Sequence, residues 1–319
     1  MAKPRFDATA RTAEFAAALD EFLDRIRDDP WVLAAVLVGS LDEETAWRRE
    51  SLGLWIIEAD GVTKRLTSDG QDERIFRTFA EAGINIHAEI ISRSRFRRMI
   101  EGNSRTAFHC SFFAVRELVY CADQSIDNWF HKANSVATSD QSRELLAVTT
   151  WTIHARRFAR RLLDRRQDLT LTRQELIWAA HAVAHAEIVR AGEVYEHEAI
   201  YRAIDLQPEL FQTIYLDVIA GRGTRKAMTA ALEAVEAYLE DNAEEFLKPL
   251  LKYLRKQKRV VPLSELSEHF AHTQLYPWHL ESACEWLDEH GWLEKVSAPF
   301  RITKKSRVDV EEPAYFLDE

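Results

Sequence analysis

No glycine lies between Gly102 and Gly192, and no proline between Pro30 and Pro208. A stretch that long, without the two residues that end helices and make turns, has few folds open to it. It is read as packed helices. Within it and just beyond, Leu145 to Leu163, Arg173 to Ala191 and Arg225 to Leu247 carry apolar residues at helical spacing. Such stripes bury against one another as a bundle. The flanks have a different texture, so the chain is divided into three domains, 1–135, 136–245 and 246–319.

The first region mixes helix and strand. Ala13 to Asp28 places Phe15, Leu19, Phe22, Leu23 and Ile26 on one helical face, with Pro30 beyond its end. Trp31 to Val38 is a nearly unbroken apolar run that suits a strand buried on both faces. It stops at Gly39-Ser40. Leu52 to Glu58 reads as a second strand and Ile84 to Ile91 as a third. Ile75, Phe76, Phe79 and Ala82 predict a helix over 72–82 that stops at Gly83. Ser92 is placed to cap a helix over Phe96 to Ile100. Ala114 to Cys121 reads as a short strand or helix.

The third region runs helix, short helix, helix and strands. Leu247 to Lys256, Pro262 to Phe270 (with Ser264 as its cap) and Pro277 to His290 are the helices. Trp292 to Val296, Phe300 to Lys304 and Val308 to Val310 form a short β-wing. That is the order of a winged helix-turn-helix. Its second long helix carries His279, Glu281, Glu285, Asp288 and Glu289. Helices that read DNA present Arg, Lys, Asn or Gln instead. Lys304, Lys305 and Arg307 give the wing a modest basic tip, so DNA is a disfavoured partner. Trp278, Trp286 and Trp292 are expected to anchor a core or a protein interface.

Composition sets the outer bounds. The chain has 319 residues, 46% hydrophobic and 29% charged, enough for real cores. Its net charge of −10 and pI near 5.6 argue against wholesale nucleic-acid binding. No run of 18 uncharged apolar residues exists, and Met1 to Arg11 has no apolar signal core. Cys110, Cys121 and Cys284 are odd in number and widely spaced. They read as reduced thiols of a cytoplasmic protein rather than a disulfide frame or a zinc site.

The stretch from Val36 to Ile57 is the most informative about function. A buried strand ending in Gly-Ser lets backbone amides approach a phosphate, and the serine adds a hydroxyl. Val36-Leu37-Val38-Gly39-Ser40, a polar loop, and then Ser51-Leu52-Gly53-Leu54-Trp55-Ile56-Ile57 resemble the nucleotidyltransferase superfamily, in its kanamycin-nucleotidyltransferase-like branch. Ile84 to Phe96 is similar to that family's third strand and following helix. Leu118 to Ile126 resembles the segment that closes its catalytic domain. The resemblance implies an α+β fold: an N-terminal nucleotidyltransferase-like mixed sheet with helices, a helical substrate-binding domain, and a C-terminal winged helix-turn-helix.

The family's chemistry needs two or three carboxylates to hold Mg²⁺ on a triphosphate. Aligned on Ser51, the first two fall on Leu52 and Leu54. The third falls on His87, or on Glu89 if the register shifts by two. Asp42, Glu43 and Glu44 crowd the loop after Ser40 with negative charge. The expectation is therefore a catalytically degenerate protein with no catalytic residues and no metal ligands assigned. It would bind a nucleotide, nucleic acid or protein through Gly39, Ser40, Arg95, Arg97 and Arg98; Arg105 extends that basic cluster. Whether it is an enzyme stays open. The alternatives are an active nucleotidyltransferase acting on a small hydroxylated acceptor, and a winged-helix DNA-binding regulator. Mg²⁺ enters as a cofactor only under the first of these, on displaced ligands Asp42, Glu50 and Glu89.

Two further clusters stand out. His181 and His185 are four apart on one helix and match a zinc pair, with Glu187 or His154 as third ligand; a polar seam of the bundle or a substrate-facing wall is the favoured reading. In the family's helical domain a carboxylate base faces the acceptor, and Glu175 or Glu187 could hold that place. Arg156, Arg157, Arg160, Arg161, Arg165 and Arg166 crowd another helix, and pairing with the chain's own acids is favoured over an anion contact.

Overall fold

The structure is a computed structural model that describes residues 7–42, 49–62, 75–100, 116–132, 138–193, 199–221, 223–271, 275–303, 305 and 310–317. It divides into two compact units, Met1–Ser135 and Val136–Glu319.

The first unit is built on a five-stranded sheet: β1 (Val32–Val38), β2 (Ser51–Glu58), β3 (Ile75–Glu81), β4 (Ile84–Ser92) and β5 (Arg116–Cys121). Their order across the sheet is β3-β4-β2-β1-β5, with β2 and β4 parallel and the other neighbours antiparallel. Helix α1 (Ala8–Ile26) is capped by the Asp7 carboxylate, which accepts the Ala10 amide at 3.1 Å. It covers one face of the sheet. Phe15, Leu19, Phe22 and Leu23 pack there against Ala35 and Leu37 of β1, Leu52, Leu54 and Ile56 of β2, and Ile84, Ile86 and Ala88 of β4. The opposite face is covered in part by α2 (Arg93–Ile100) and α3 (Gln124–Lys132). Phe96, Ile126 and Phe130 meet Ala34, Val36, Trp55, Ile57 and Ile91 there. The expected burial of β1 on both faces is found: Ala34 to Leu37 are all buried.

The helix expected over 72–82 is a correction. Residues 72–74 lie outside the described residues, and 75–81 form β3, the edge strand paired with β4 from Ile75↔Ile90 to Glu81↔Ile84. Ala82 and Gly83 both have positive φ, 48° and 80°, which is the geometry of a tight hairpin turn matched to strand twist. Gly83 therefore turns a hairpin; it does not stop a helix. Phe79 packs on Phe22 with ring centroids 5.2 Å apart, whereas Phe76 is exposed. Ser92 does cap α2, its hydroxyl accepting the Arg95 amide at 3.3 Å. Ala114 to Cys121 resolves to strand β5 over 116–121, residues 114 and 115 lying outside the described set.

The second unit is helical apart from one small sheet. Helices α4 (Thr138–Arg161), α5 (Leu169–Arg190), α6 (Ala199–Leu206), α7 (Pro208–Phe211), α8 (Asp217–Ala220) and α9 (Arg225–Phe246) form its bundle, with π-helical turns at Leu162–Arg166 and Gln212–Leu216. On α5 the alanines Ala179, Ala180, Ala182, Ala184 and Ala186 are buried, so neighbouring backbones approach closely. The remainder comprises α10 (Lys248–Gln257), β6 (Val261–Pro262), α11 (Leu263–His269), α12 (Pro277–Glu289), β7 (Glu294–Phe300) and β8 (Val310–Phe316), with the sheet order β6-β8-β7. One continuous core runs from Leu145 to Leu317 through both parts.

Two details depart from the sequence reading. The N-cap of α11 is Pro262; Ser264 lies inside the helix, its amide and hydroxyl both bonded to the Glu312 carboxylate at 2.9 and 2.8 Å. The strands expected as a β-wing resolve to β7 and β8: Phe300 ends the first, residues 301–303 are not strand, and the second begins at Val310, with its fully buried Tyr315 in the core. Cys121 and Cys284 carry free thiols, and Cys110 is outside the described residues. Among the described residues no helix is long and apolar enough to cross a membrane.

Candidate functional site

The corner where β1 ends is built around Gly39, whose φ of 86° suits only a residue without Cβ. A Cβ there would collide with the Arg49 guanidinium. Arg49 Nη2 donates to the Val38 carbonyl at 3.3 Å, which lays the guanidinium across the glycine. Burial pushes the Arg49 pKa down, and the nearby Asp42 carboxylate pulls it back up. The Ser40 hydroxyl donates to Asp42. Glu43 and Glu44 lie outside the described residues.

Sheet pairing places the backbone of a second arginine beside this corner. Val38 pairs with Gly53 of β2 on one side and with Arg116 of β5 on the other. The Arg116 guanidinium lies over the Phe130 ring, 5.1 Å from its centroid, and burial lowers its pKa. Arg49 and Arg116 were not singled out from the sequence. Each stands alone in a mixed-charge neighbourhood, and only the strand pairing makes them neighbours of Gly39.

The arginines of α2 stand elsewhere. Their helix follows Ser92, which pairs with Glu58, whereas Gly39 follows Val38, which pairs with Gly53. Five ladder steps separate the two, about 17 Å along the sheet. The start of α2 is fastened at that far end. Arg93 donates to Asp123 at 2.7 Å and to Ser125 at 2.6 Å, and its guanidinium lies 4.7 Å from the Trp129 ring centroid. The Ser94 amide and hydroxyl bond to Asp60 at 2.9 and 2.6 Å. Arg97 lies over the same Trp129 ring at 5.6 Å. Arg95, Arg97 and Arg98 all make contacts within the protein. The sheet thus carries Gly39 and Ser40 at one end and the root of α2 at the other. Arg105 is outside the described residues.

Leu52 and Leu54 fill the positions expected of the first two carboxylates, and both are fully buried in the core under α1. The candidates for the third point the other way. His87 and Glu89 pair with Gly53 and Trp55, residues on the face opposite Leu52 and Leu54. Thr78 holds His87 through Nδ1 at 2.9 Å. These residues do not fit Mg²⁺. The ion wants an octahedron of oxygens, and two apolar side chains facing one way with a His and a Glu facing the other supply none. Among the described residues, Asp42, Glu50 and Glu89 form no group of three convergent ligands either.

The helical unit separates its sequence clusters in the same way. His181 packs edge-on to Tyr215, 5.7 Å between centroids, and burial lowers its pKa. Burial drives the His185 pKa to about 4, helped by His181. Glu187 turns from them to accept from Tyr238 at 2.8 Å and Gln207 at 3.1 Å, and His154 bonds Ser282 at 2.9 Å. Neither joins the His181–His185 pair. Glu175 has its pKa raised by burial. On α4, Arg156 pairs with Glu236 at 2.6 Å and Arg157 with Glu289 at 3.0 Å, so these two of the six arginines meet the chain's own acids.

No protein-family model and no curated protein matches the chain. Among solved structures it is similar to a nucleotidyltransferase-like protein from Exiguobacterium sibiricum 255-15, at 14% identity and a TM-score of 0.62, over 94% of this chain and 98% of that one. At that identity the likeness shows the fold alone, a mixed α+β architecture that in this chain has a five-stranded sheet, many helices and a small C-terminal sheet.

Proposed function

We propose that this nucleotidyltransferase-like fold has lost the polymerase-type metal centre and works by binding rather than by transfer. The observation that carries the proposal is the burial of Leu52 and Leu54 under α1. A transferase needs a pair of carboxylates there facing the same way as the third. The anion site falls at the Gly39 corner, with Arg49 and Arg116 as its cations and the Ser40 hydroxyl as a further donor. A nucleotide phosphate is the ligand that chemistry suits, and binding there needs no divalent ion.

The finer assignments belong to the same proposal. The kanamycin-nucleotidyltransferase-like branch accounts for a sheet followed by a bundle. The order α10, α11, α12 and a β7–β8 hairpin is that of a winged helix. A protein partner suits that module better than DNA. Its second long helix is packed on α4, where His154 meets Ser282 and Arg157 meets Glu289, and cannot enter a groove without leaving them.

Calorimetric titration with a non-hydrolysable ATP analogue, with and without Mg²⁺, tests the reading. Binding that is indifferent to Mg²⁺ and weakened by Arg49→Gln and Arg116→Gln is expected. Binding that requires Mg²⁺, together with pyrophosphate release from ATP, would overturn it.

A further inference from the structure

Three ligand-bearing side chains converge where the C-terminal end of α12 meets α9. Glu236 and Glu240 are one helical turn apart on α9, so their carboxylates share a face. His290 follows the last residue of α12. Its Nε2 lies 3.2 Å from Glu236 Oε1 and 3.2 Å from Glu240 Oε1, and the three ligand atoms all lie within 4.8 Å of one another. Glu236 and His290 are largely buried; Glu240 is half exposed.

The surroundings orient these atoms as a metal site requires. His290 Nδ1 lies 2.7 Å from the Trp286 carbonyl, an acceptor, so the Nδ1–H is committed there and Nε2 is the ring atom that faces the carboxylates. The imidazole is stacked on the Trp286 indole, centroids 4.1 Å apart, which fixes the ring plane. Glu236 is held from behind, by the Trp286 indole N–H on Oε1 at 3.2 Å and by the Arg156 guanidinium at Oε2 at 2.6 Å. Two carboxylates one turn apart on a helix repel each other, and a divalent cation between them and Nε2 would relieve that repulsion. The end of α12 adds the negative pole of a helix.

We infer that Glu236, Glu240 and His290 bind a divalent d-block cation, Zn²⁺ being the best fit, and so fasten α12 to α9. A tetrahedral ion with bonds of about 2.0–2.1 Å sets its ligand atoms roughly 3.3 Å apart, close to the two separations from Nε2. The single imidazole and two carboxylates suit Zn²⁺ better than Mg²⁺, which prefers oxygens alone. The site owes nothing to the Gly39 corner and lies in the other unit of the chain.

The chelator-treated full chain is titrated with Zn²⁺ alone by calorimetry, beside Glu240→Gln, His290→Asn and His185→Asn. One equivalent should bind. Glu240→Gln and His290→Asn should each weaken it at least tenfold, and His185→Asn, which alters the other histidine pair, should leave it unchanged. Zn²⁺ at a hundredfold excess over its dissociation constant should raise the thermal midpoint by roughly 5 °C in the wild type. It should do so far less in Glu240→Gln, whose conservative change at a half-exposed position keeps the fold. If no heat is released, the cluster is held by hydrogen bonds among its own side chains and the inference fails. Binding that survives both Glu240→Gln and His290→Asn would place the metal elsewhere and also overturn it.

Discussion

Gly39 holds the Arg49 guanidinium against the backbone by having no side chain of its own. Alanine at that position would adopt a left-handed conformation, at a cost of about 1–2 kcal/mol, and displace Arg49 from the Val38 carbonyl, which costs about another 1 kcal/mol. Gly39→Ala should therefore destabilise the first unit by about 2–3 kcal/mol in urea unfolding and weaken nucleotide binding with it. At Leu54 the argument concerns polarity. Restoring a carboxylate with Leu54→Asp would place it in the core between its sheet partners Leu37 and Ala88, under α1. The loss of apolar burial is about 1.5–3 kcal/mol, and desolvation of the acid adds to it. Leu54→Asp should lower stability by at least about 3 kcal/mol and yield no Mg²⁺-dependent pyrophosphate release. A variant that stayed folded and gained turnover would show that this face can open.

At the scale of elements, the carboxylate of Glu187 on α5 is buried and depends on donors from other helices. Tyr238 on α9 donates at 2.8 Å, and burial, together with that carboxylate, raises the tyrosine's own pKa. Tyr238→Phe removes a donor from a buried charge and should cost about 1–3 kcal/mol in urea unfolding of the second unit. The elements that could be read from sequence were those whose patterns their own burial explains. Helix α1, strands β1, β2 and β4, and the long helices α4, α5 and α9 each bury the stripe their sequence displays. Strand β3 misled because only one of its two large aromatics is packed. Phe79 sits on Phe22, Phe76 is exposed, and the pair with Ile75 imitates a helical face. The candidate site was legible at Gly39 and Ser40, where the chain makes the corner by itself. Arg49 and Arg116 were not, because strand pairing, which the sequence does not display, brings them there. The same holds for Glu236, Glu240 and His290, which lie on two helices far apart in the chain.

At the scale of the molecule, the two units should respond to acid in different pH windows. In the helical unit burial holds the His185 pKa near 4, whereas an unfolded histidine titrates near 6.5. Below pH 6.5 the unfolded chain takes up a proton that the folded chain refuses, so stability falls between about pH 6.5 and 4. One such histidine accounts for about 1.5 kcal/mol between pH 6.5 and 5, and His185→Gln should remove that much of the slope. The first unit has the opposite case in Asp123. Burial works to raise its pKa, but hydrogen bonds from Ser125 and Arg93 outweigh burial and hold it below the ordinary carboxylate value. Its contribution is complete above the unfolded value near 3.9 and is lost only as pH falls through the lower folded value. Amide exchange followed from pH 7 downward should therefore show protection on α5 weakening between pH 6.5 and 4, while β1 stays protected. Asp123→Asn should blunt the later loss of β1 protection below pH 4 and leave α5 unchanged. Simultaneous loss on both elements above pH 4 would mean that the two units share one unfolding transition.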